Sequence, residues 1–325
     1  MPEIWAPTQI NINHAAEILR RGGLVAFPTE TVYGLGANAA SAEAVRSIFT
    51  AKGRPSSNPV IVHVSHVDQL IGLGTVPASG YLLAEMFWPG PLTLVIKKTS
   101  AVPDAVTAGG ETVAVRMPNH PVALDLLRAC GLPLAAPSAN RSEQISPTTA
   151  EHVQLGLGEN VDAIIDGGPC IVGLESTVLD ITLWPPVILR AGMISGDDIA
   201  RVLNLSGIET NQHSDALAKS PGQMTKHYAP RTKLIYSPAL GSERIDMSVS
   251  TGLITTAVPT HEKTRFVKVI EMPDTPSAYA RCLYAAFHGM DELALDLILI
   301  DPVPSTPQWA AIADRISRAV TKDSF

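Results

Sequence analysis

Between residues 13 and 204, short apolar runs alternate with stretches whose apolar residues recur at helical spacing. The apolar runs at 24–27, 59–64, 92–96, 113–117, 132–136, 163–165, 177–181 and 187–189 predict strands. Asn13 is placed to cap a helix running to Gly22-Gly23, where glycine takes a left-handed backbone at little cost. Ser41 is placed to cap a second helix, which turns Val45, Ile48 and Phe49 to one side and ends near Gly53. Helices are also predicted over 121–129 and 150–157. Strands this numerous, only some of them separated by helices, predict a mixed sheet.

The pattern lapses over 205–232, a polar stretch holding Ser220-Pro221-Gly222 and Ala229-Pro230-Arg231, which reads as a linker. Beyond it, strands at 234–236, 252–256, 266–269 and 297–300 alternate with helical patterns around 277–288 and 308–320. That predicts a smaller, Rossmann-like α/β domain of doubly wound type. The chain thus divides into 1–204, 205–232 and 233–325.

Composition narrows the chemistry. With 325 residues, 46% of them hydrophobic, the chain can fill two cores. Its net charge of -7 repels a phosphate backbone, so bulk nucleic-acid binding by electrostatics alone is not expected and any phosphate must be captured locally. Cys130, Cys170 and Cys282 are far apart and form no C-x-x-C pair, which suits reduced thiols. The start of the chain lacks secretory features and no apolar run approaches a membrane span. A cytoplasmic protein without membrane contact is the expectation.

The most informative segment is Phe27-Pro28-Thr29-Glu30-Thr31-Val32-Tyr33-Gly34-Leu35-Gly36, followed one helix later by Lys52-Gly53-Arg54-Pro55-Ser56-Ser57-Asn58-Pro59. Only nine Lys and Arg residues lie between Gly23 and Gly196, and two share this loop with no carboxylate beside them. A loop rich in donors and poor in acceptors suits an anion, usually phosphate. A Lys-Gly pair ending a helix can instead merely complement its dipole. Here the Pro-Ser-Ser-Asn-Pro run, which fixes the loop and adds donors, tips the reading to phosphate. Ser138 and Asn140 follow an apolar strand and sit too far upstream to cap the next helix, which favours a ligand role. Arg116 ends a strand, where a planar fork either faces solvent or meets a carboxylate. Glu175, Ser176 and Arg190 read singly as turn residues, and His63 as a core histidine. Walker A, dinucleotide-fold, zincin and nucleophile-elbow signatures are all missing.

Taken in order, the stretches 28–36, 52–64, 88–95, 113–121, 136–148, 173–180 and 189–195 resemble the YrdC-like threonylcarbamoyl-AMP synthases. Residues 220–230 and the domain behind them resemble the two-domain form of that family, with its C-terminal Sua-type domain. The resemblance implies a YrdC-like twisted mixed sheet with helices. It also implies an enzyme that condenses L-threonine, bicarbonate and ATP into threonylcarbamoyl-adenylate and pyrophosphate. A downstream tRNA threonylcarbamoyl transferase would then use the product at adenosine 37. By the same resemblance Thr31, His63, Arg116, Ala136 and Ser176 line the threonine site. Arg54, Asn58, Thr112, Ser138, Asn140, Ser146, Arg190 and Tyr228 bind ATP, with Lys52 and Arg54 serving catalysis. Mg²⁺ would arrive with ATP, held by phosphates and water rather than by protein side chains. Two positions depart from the family: Glu143, where glycine is usual, and Ala191, where proline is usual.

Two other readings compete. A binding module for RNA would want basic charge and more than the 5% aromatic residues present. Carbamoyl transfer in hydrogenase maturation would bring zinc-finger cysteines and an acylphosphatase-like segment, which the chain lacks.

Overall fold

The computed structural model describes residues 3–210, 228–237, 249–257 and 260–321, which fall into two compact units. The first comprises Met1–Ser142 and Ser146–Gln223, and the second Glu143–Ile145 and Met224–Phe325. Most of the predicted linker, including Gln223–His227, lies outside the described residues.

In chain order the first unit carries β1 (Ile4–Trp5), α1 (Gln9–Arg20), β2 (Val25–Phe27), β3 (Gly34–Asn38), α2 (Ala42–Lys52), β4 (Ile61–His63), α3 (Leu70–Leu73), β5 (Gly74–Thr75), α4 (Ala78–Phe87) and β6 (Leu92–Lys98). It continues with α5 (Asp104–Thr107), β7 (Thr112–Arg116), α6 (Pro121–Cys130), β8 (Leu134–Ala135), α7 (Ala150–Leu157), β9 (Ala163–Ile165), β10 (Thr177–Asp180), β11 (Val187–Arg190), α8 (Gly196–Leu203) and β12 (Glu209–Thr210). These strands form one mixed sheet in the order β1-β9-β2-β3-β8-β4-β7-β6-β10-β11-β12, with β5 beside β6.

Alternation along the strands sends side chains to opposite faces. Leu24, Ala26, Val60, Val62 and Ala135 join one core with Val45 and Ile48 of α2. Val25, Phe27 and Leu134 join another with α1 and α6. Further along the sheet, Ile61, Val95, Ala114 and Val178 form a third cluster.

Several local expectations hold. Ser41 accepts a hydrogen bond from the Ala44 amide, and α2 ends at Gly53 with φ +59°. The helix at 150–157 is reproduced. The first helix, however, starts before Asn13: Thr8 caps it by accepting from the Asn11 amide, and Asn13 accepts from Gln9 inside its first turns. Pro7-Thr8 simply offers an earlier stop on the chain than Asn13. The glycine-rich run after Phe27 is not all loop either. Gly34–Asn38 is a strand, antiparallel to β2, and Gly36 is there because a Cβ would meet the Phe27 ring at 2.8 Å.

The second unit holds β13 (Lys233–Tyr236), β14 (Thr251–Thr255), β15 (Lys268–Glu271), α9 (Pro276–Asp291), β16 (Leu297–Ile300) and α10 (Ala310–Ala319). Its strands are all parallel, in the order β13-β16-β14-β15. Among the described residues no helix is long and apolar enough to cross a membrane.

Candidate active site

Sheet register assembles the site. His63 pairs with Arg116 across β4 and β7, and with Leu134 across β4 and β8. β6 runs beside β7, and its Thr93 pairs with Val178 of β10, two residues beyond Ser176. Period-two alternation therefore puts His63, Arg116, Thr93 and Ser176 on one face, that of the Ile61–Val95–Ala114–Val178 cluster. Ala136 joins them, its amide donating to the Ile61 carbonyl at 2.9 Å.

Arg116 is the hub, and it is buried. Its Nε donates to the Gly90 carbonyl at 3.2 Å and its Nη1 to Thr31 Oγ1 at 2.8 Å. Nη2 lies 2.5 Å from Glu30 Oε2. Thr31 sits in a tight turn in which Thr29 Oγ1 accepts from the amides of Thr31 and Val32. Because Arg116 donates to Thr31, the Thr31 proton points to Thr29, and that of Thr29 to the Val32 carbonyl. The hydroxyls are thus polarised in one direction.

Ser176 links the hub to the far strands. Its Oγ accepts from Arg190 Nη2 at 3.1 Å and lies 2.7 Å from Thr93 Oγ1. Arg190 Nε also donates to the Ser176 carbonyl. Gly192 permits this close approach, since a Cβ there would meet the Thr177 amide nitrogen at 2.3 Å. The proline-to-alanine departure at Ala191 leaves the Arg190 contacts in place.

The other half of the site is built around Lys52, the last residue of α2. Its Nζ donates to the Ser138 carbonyl at 2.5 Å and to the Asn140 carbonyl, while its own carbonyl accepts from Ser142. Arg54 donates to the carbonyls of Asn58 and Pro59. Ser146 donates to Glu175 at 2.6 Å. The segment from Ala136 to Asn140 joins the halves, with Ser138 bridged to Gly34 of β3.

Burial sets the electrostatics. It pushes the Lys52 ammonium well below its usual range, and the neighbouring Arg54 charge pushes the same way. His63 is lowered to about 3, first by burial and then by Arg116, so its ring is neutral. His120 is lowered by burial, against the pull of Glu30. The Cys170 thiol is raised to about 12 by burial and then by the Glu30 charge, which makes it no nucleophile.

One expected site residue lies apart within the first unit. Thr112 opens β7, on the Arg116 face but four residues away, about 13 Å along the strand. Tyr228 is buried in the second unit, where its ring stacks on Tyr284 with centroids 5.8 Å apart. The Arg315 guanidinium covers it at 5.1 Å. Sequence reading assigned no role to Glu30, Gly90 or Thr93. Glu30 carried one signal, a carboxylate between two threonines. Glu143 has φ +68°, in the left-handed region that a glycine enters freely and a side chain enters at a cost. Among the described residues no group of three or more His, Cys, Asp or Glu could hold a metal ion.

Comparison with known proteins finds relatives over nearly the whole chain. A family model described as "Telomere recombination", covering the Sua5, YciO and YrdC proteins, matches residues 17–192. One described as "Threonylcarbamoyl-AMP synthase, C-terminal domain" matches residues 194–321. The chain is 40% identical over 319 residues to the threonylcarbamoyl-AMP synthase of Pyrococcus abyssi, covering 95% of this chain and 93% of that one. It is 43% identical over 320 residues to that of Bacillus subtilis, covering 95% and 92%. The crystal structure of P. abyssi Sua5 complexed with L-threonine superposes with a TM-score of 0.88 at 39% identity, over 96% of both chains.

Proposed function

The chain belongs to the threonylcarbamoyl-AMP synthase family in its two-domain form, and from that premise we propose how its first unit performs the reaction. L-Threonine, bicarbonate and ATP become threonylcarbamoyl-AMP and pyrophosphate, a nucleotidyl transfer. The product then passes to a transferase that modifies adenosine 37 of tRNA.

One observation carries the reading. A buried Arg116–Thr31–Glu30 group and a buried Lys52–Arg54 group are joined by a single segment, Ala136 to Asn140. The first suits an amino acid and the second a triphosphate. Arg116 takes the threonine carboxylate as a planar fork, and Thr31, Ser176, neutral His63 and the backbone at Ala136 surround the rest. Lys52, Arg54, Asn58, Ser138, Asn140, Ser146 and Arg190 face the phosphates. When a carbamate oxygen attacks the α-phosphorus and pyrophosphate leaves, charge gathers on phosphate oxygens where these donors already stand. No nucleophilic side chain is required. Mg²⁺ is assigned to ATP and pyrophosphate, since the donors gathered here are cations and amides, not a carboxylate cage.

We assign residues 1–204 to catalysis, 205–232 to a linker that folds over the nucleotide, and 233–325 to the small second domain. The test is pyrophosphate release from ATP, which must require both L-threonine and bicarbonate. Equal turnover without threonine overturns the assignment. ATP and threonine together should also slow proteolysis of the linker, and cleavage at an unchanged rate would make it a plain tether.

A further inference from the structure

Glu30 is 1% exposed and lies against the site's central cation, yet no contact of its own with the substrate has been assigned to it. A buried carboxylate persists only where charge and hydrogen bonds are both supplied. Charge is supplied: Glu30 Oε2 is 2.5 Å from Arg116 Nη2. Hydrogen bonds are not. Both Glu30 oxygens and Arg116 Nη2 are buried, and none of the three has a partner in hydrogen-bond geometry. The remaining donors of Arg116 are already directed elsewhere, Nε at Gly90 and Nη1 at Thr31. The site therefore holds an unfilled anionic acceptor beside an unfilled cationic donor.

That pair complements a molecule carrying both charges a few ångströms apart. An α-amino acid is such a molecule. Its carboxylate fits the open edge of Arg116, and its ammonium then needs a negative neighbour, since beside Arg116 alone it would meet a like charge in a poorly screened place. His63 cannot supply one, being neutral, and neither can a hydroxyl.

We propose that Glu30 receives the α-ammonium group of the bound amino acid, so that Glu30 and Arg116 together read the substrate as a zwitterion. The inference rests on the threonine reading of this site and goes beyond it by naming the residue that selects an amine. Glu30 and Arg116 leave the empty pocket neutral as a pair, and a zwitterion keeps it neutral when full.

The test is calorimetric titration of the full-length chain with L-threonine and with 2,3-dihydroxybutanoate, in which a hydroxyl replaces the amine. Wild type should prefer threonine by at least about tenfold, as expected where a buried acceptor would otherwise stay unfilled. Glu30→Gln should weaken threonine by a similar factor and leave the hydroxy acid within about threefold, removing the preference. Equal weakening of both ligands would mean that Glu30 only positions Arg116, and would overturn the proposal. So would no change in either. If Glu30→Gln does not fold, the wild-type comparison still decides, because equal affinity for the two ligands is incompatible with an ammonium receptor. A wild type that binds neither ligand overturns the threonine reading itself, and the inference with it.

Discussion

The two halves of the site hold their cations differently. Arg116 is answered by a carboxylate, Glu30, and by a threonine hydroxyl. Lys52 and Arg54 are answered by backbone carbonyls from their own loop and from the Ser138–Asn140 segment. At the Lys52 end carbonyl dipoles satisfy the ammonium's hydrogen bonds, whereas at the Arg116 end a carboxylate supplies a full counter-charge. A polyanion suits the first and a net-neutral ligand the second.

The largest effect should come from unbalancing the neutral half. Arg116→Ala leaves Glu30 as a lone buried carboxylate and should cost about 3–5 kcal/mol of folding stability, besides abolishing saturation by threonine. The pair Arg116→Met with Glu30→Leu should regain most of that stability and none of the activity. Chemical denaturation reads the first effect and pyrophosphate release the second. A double variant no more stable than Arg116→Ala would show that charge balance is not what Glu30 provides.

At the Lys52 half, Lys52→Ala should lower kcat by roughly 10²- to 10³-fold while the KM for threonine moves little. A rise in that KM with kcat intact would place Lys52 in the wrong half.

The halves should also share a pH signature. The folded pKa values of His63 and Lys52 both lie below their unfolded ones, so the unfolded chain binds more protons and stability rises with pH across each gap. For His63 the contribution is complete above 6.5 and is lost as pH falls towards 3. His63→Gln should flatten the dependence of Tm on pH in that window, and an unchanged slope would contradict the burial argument.

Glu143→Gly is the mildest change. It removes the penalty of a side chain at φ +68° and should stabilise the protein by up to about 1 kcal/mol, visible as a small rise in Tm. A fall in Tm would mean that the carboxylate has contacts worth more than the strain.

The sequence made the scaffold largely readable, because periodicity reports burial directly. The strand at 163–165 and the Ser41 cap are visible that way. Gly34–Asn38 was hidden, since glycine has little strand preference and its reason for being there is the Phe27 ring across the hairpin. The site was readable where donors cluster along the chain, as in Lys52-Gly53-Arg54. Glu30 was opaque for the opposite reason: what defines it is Arg116, brought beside it only by the fold.

Glu143–Ile145 belongs to the second unit although the chain on both sides belongs to the first. Gln144 pairs with Ala229, whose amide donates to the Glu143 carbonyl, and Tyr228, beside them, also has a left-handed backbone at φ +65°. Along the chain the second unit is therefore discontinuous, three of its residues lying within the stretch that builds the first. A fragment ending near Asn204 would carry away three residues of the other unit, stripped of their partner, within the very loop that runs from Asn140 to Ser146. Such a fragment should fold yet perform poorly, and grafting a foreign C-terminal domain onto residues 1–204 should fail unless it brings a strand to meet Gln144.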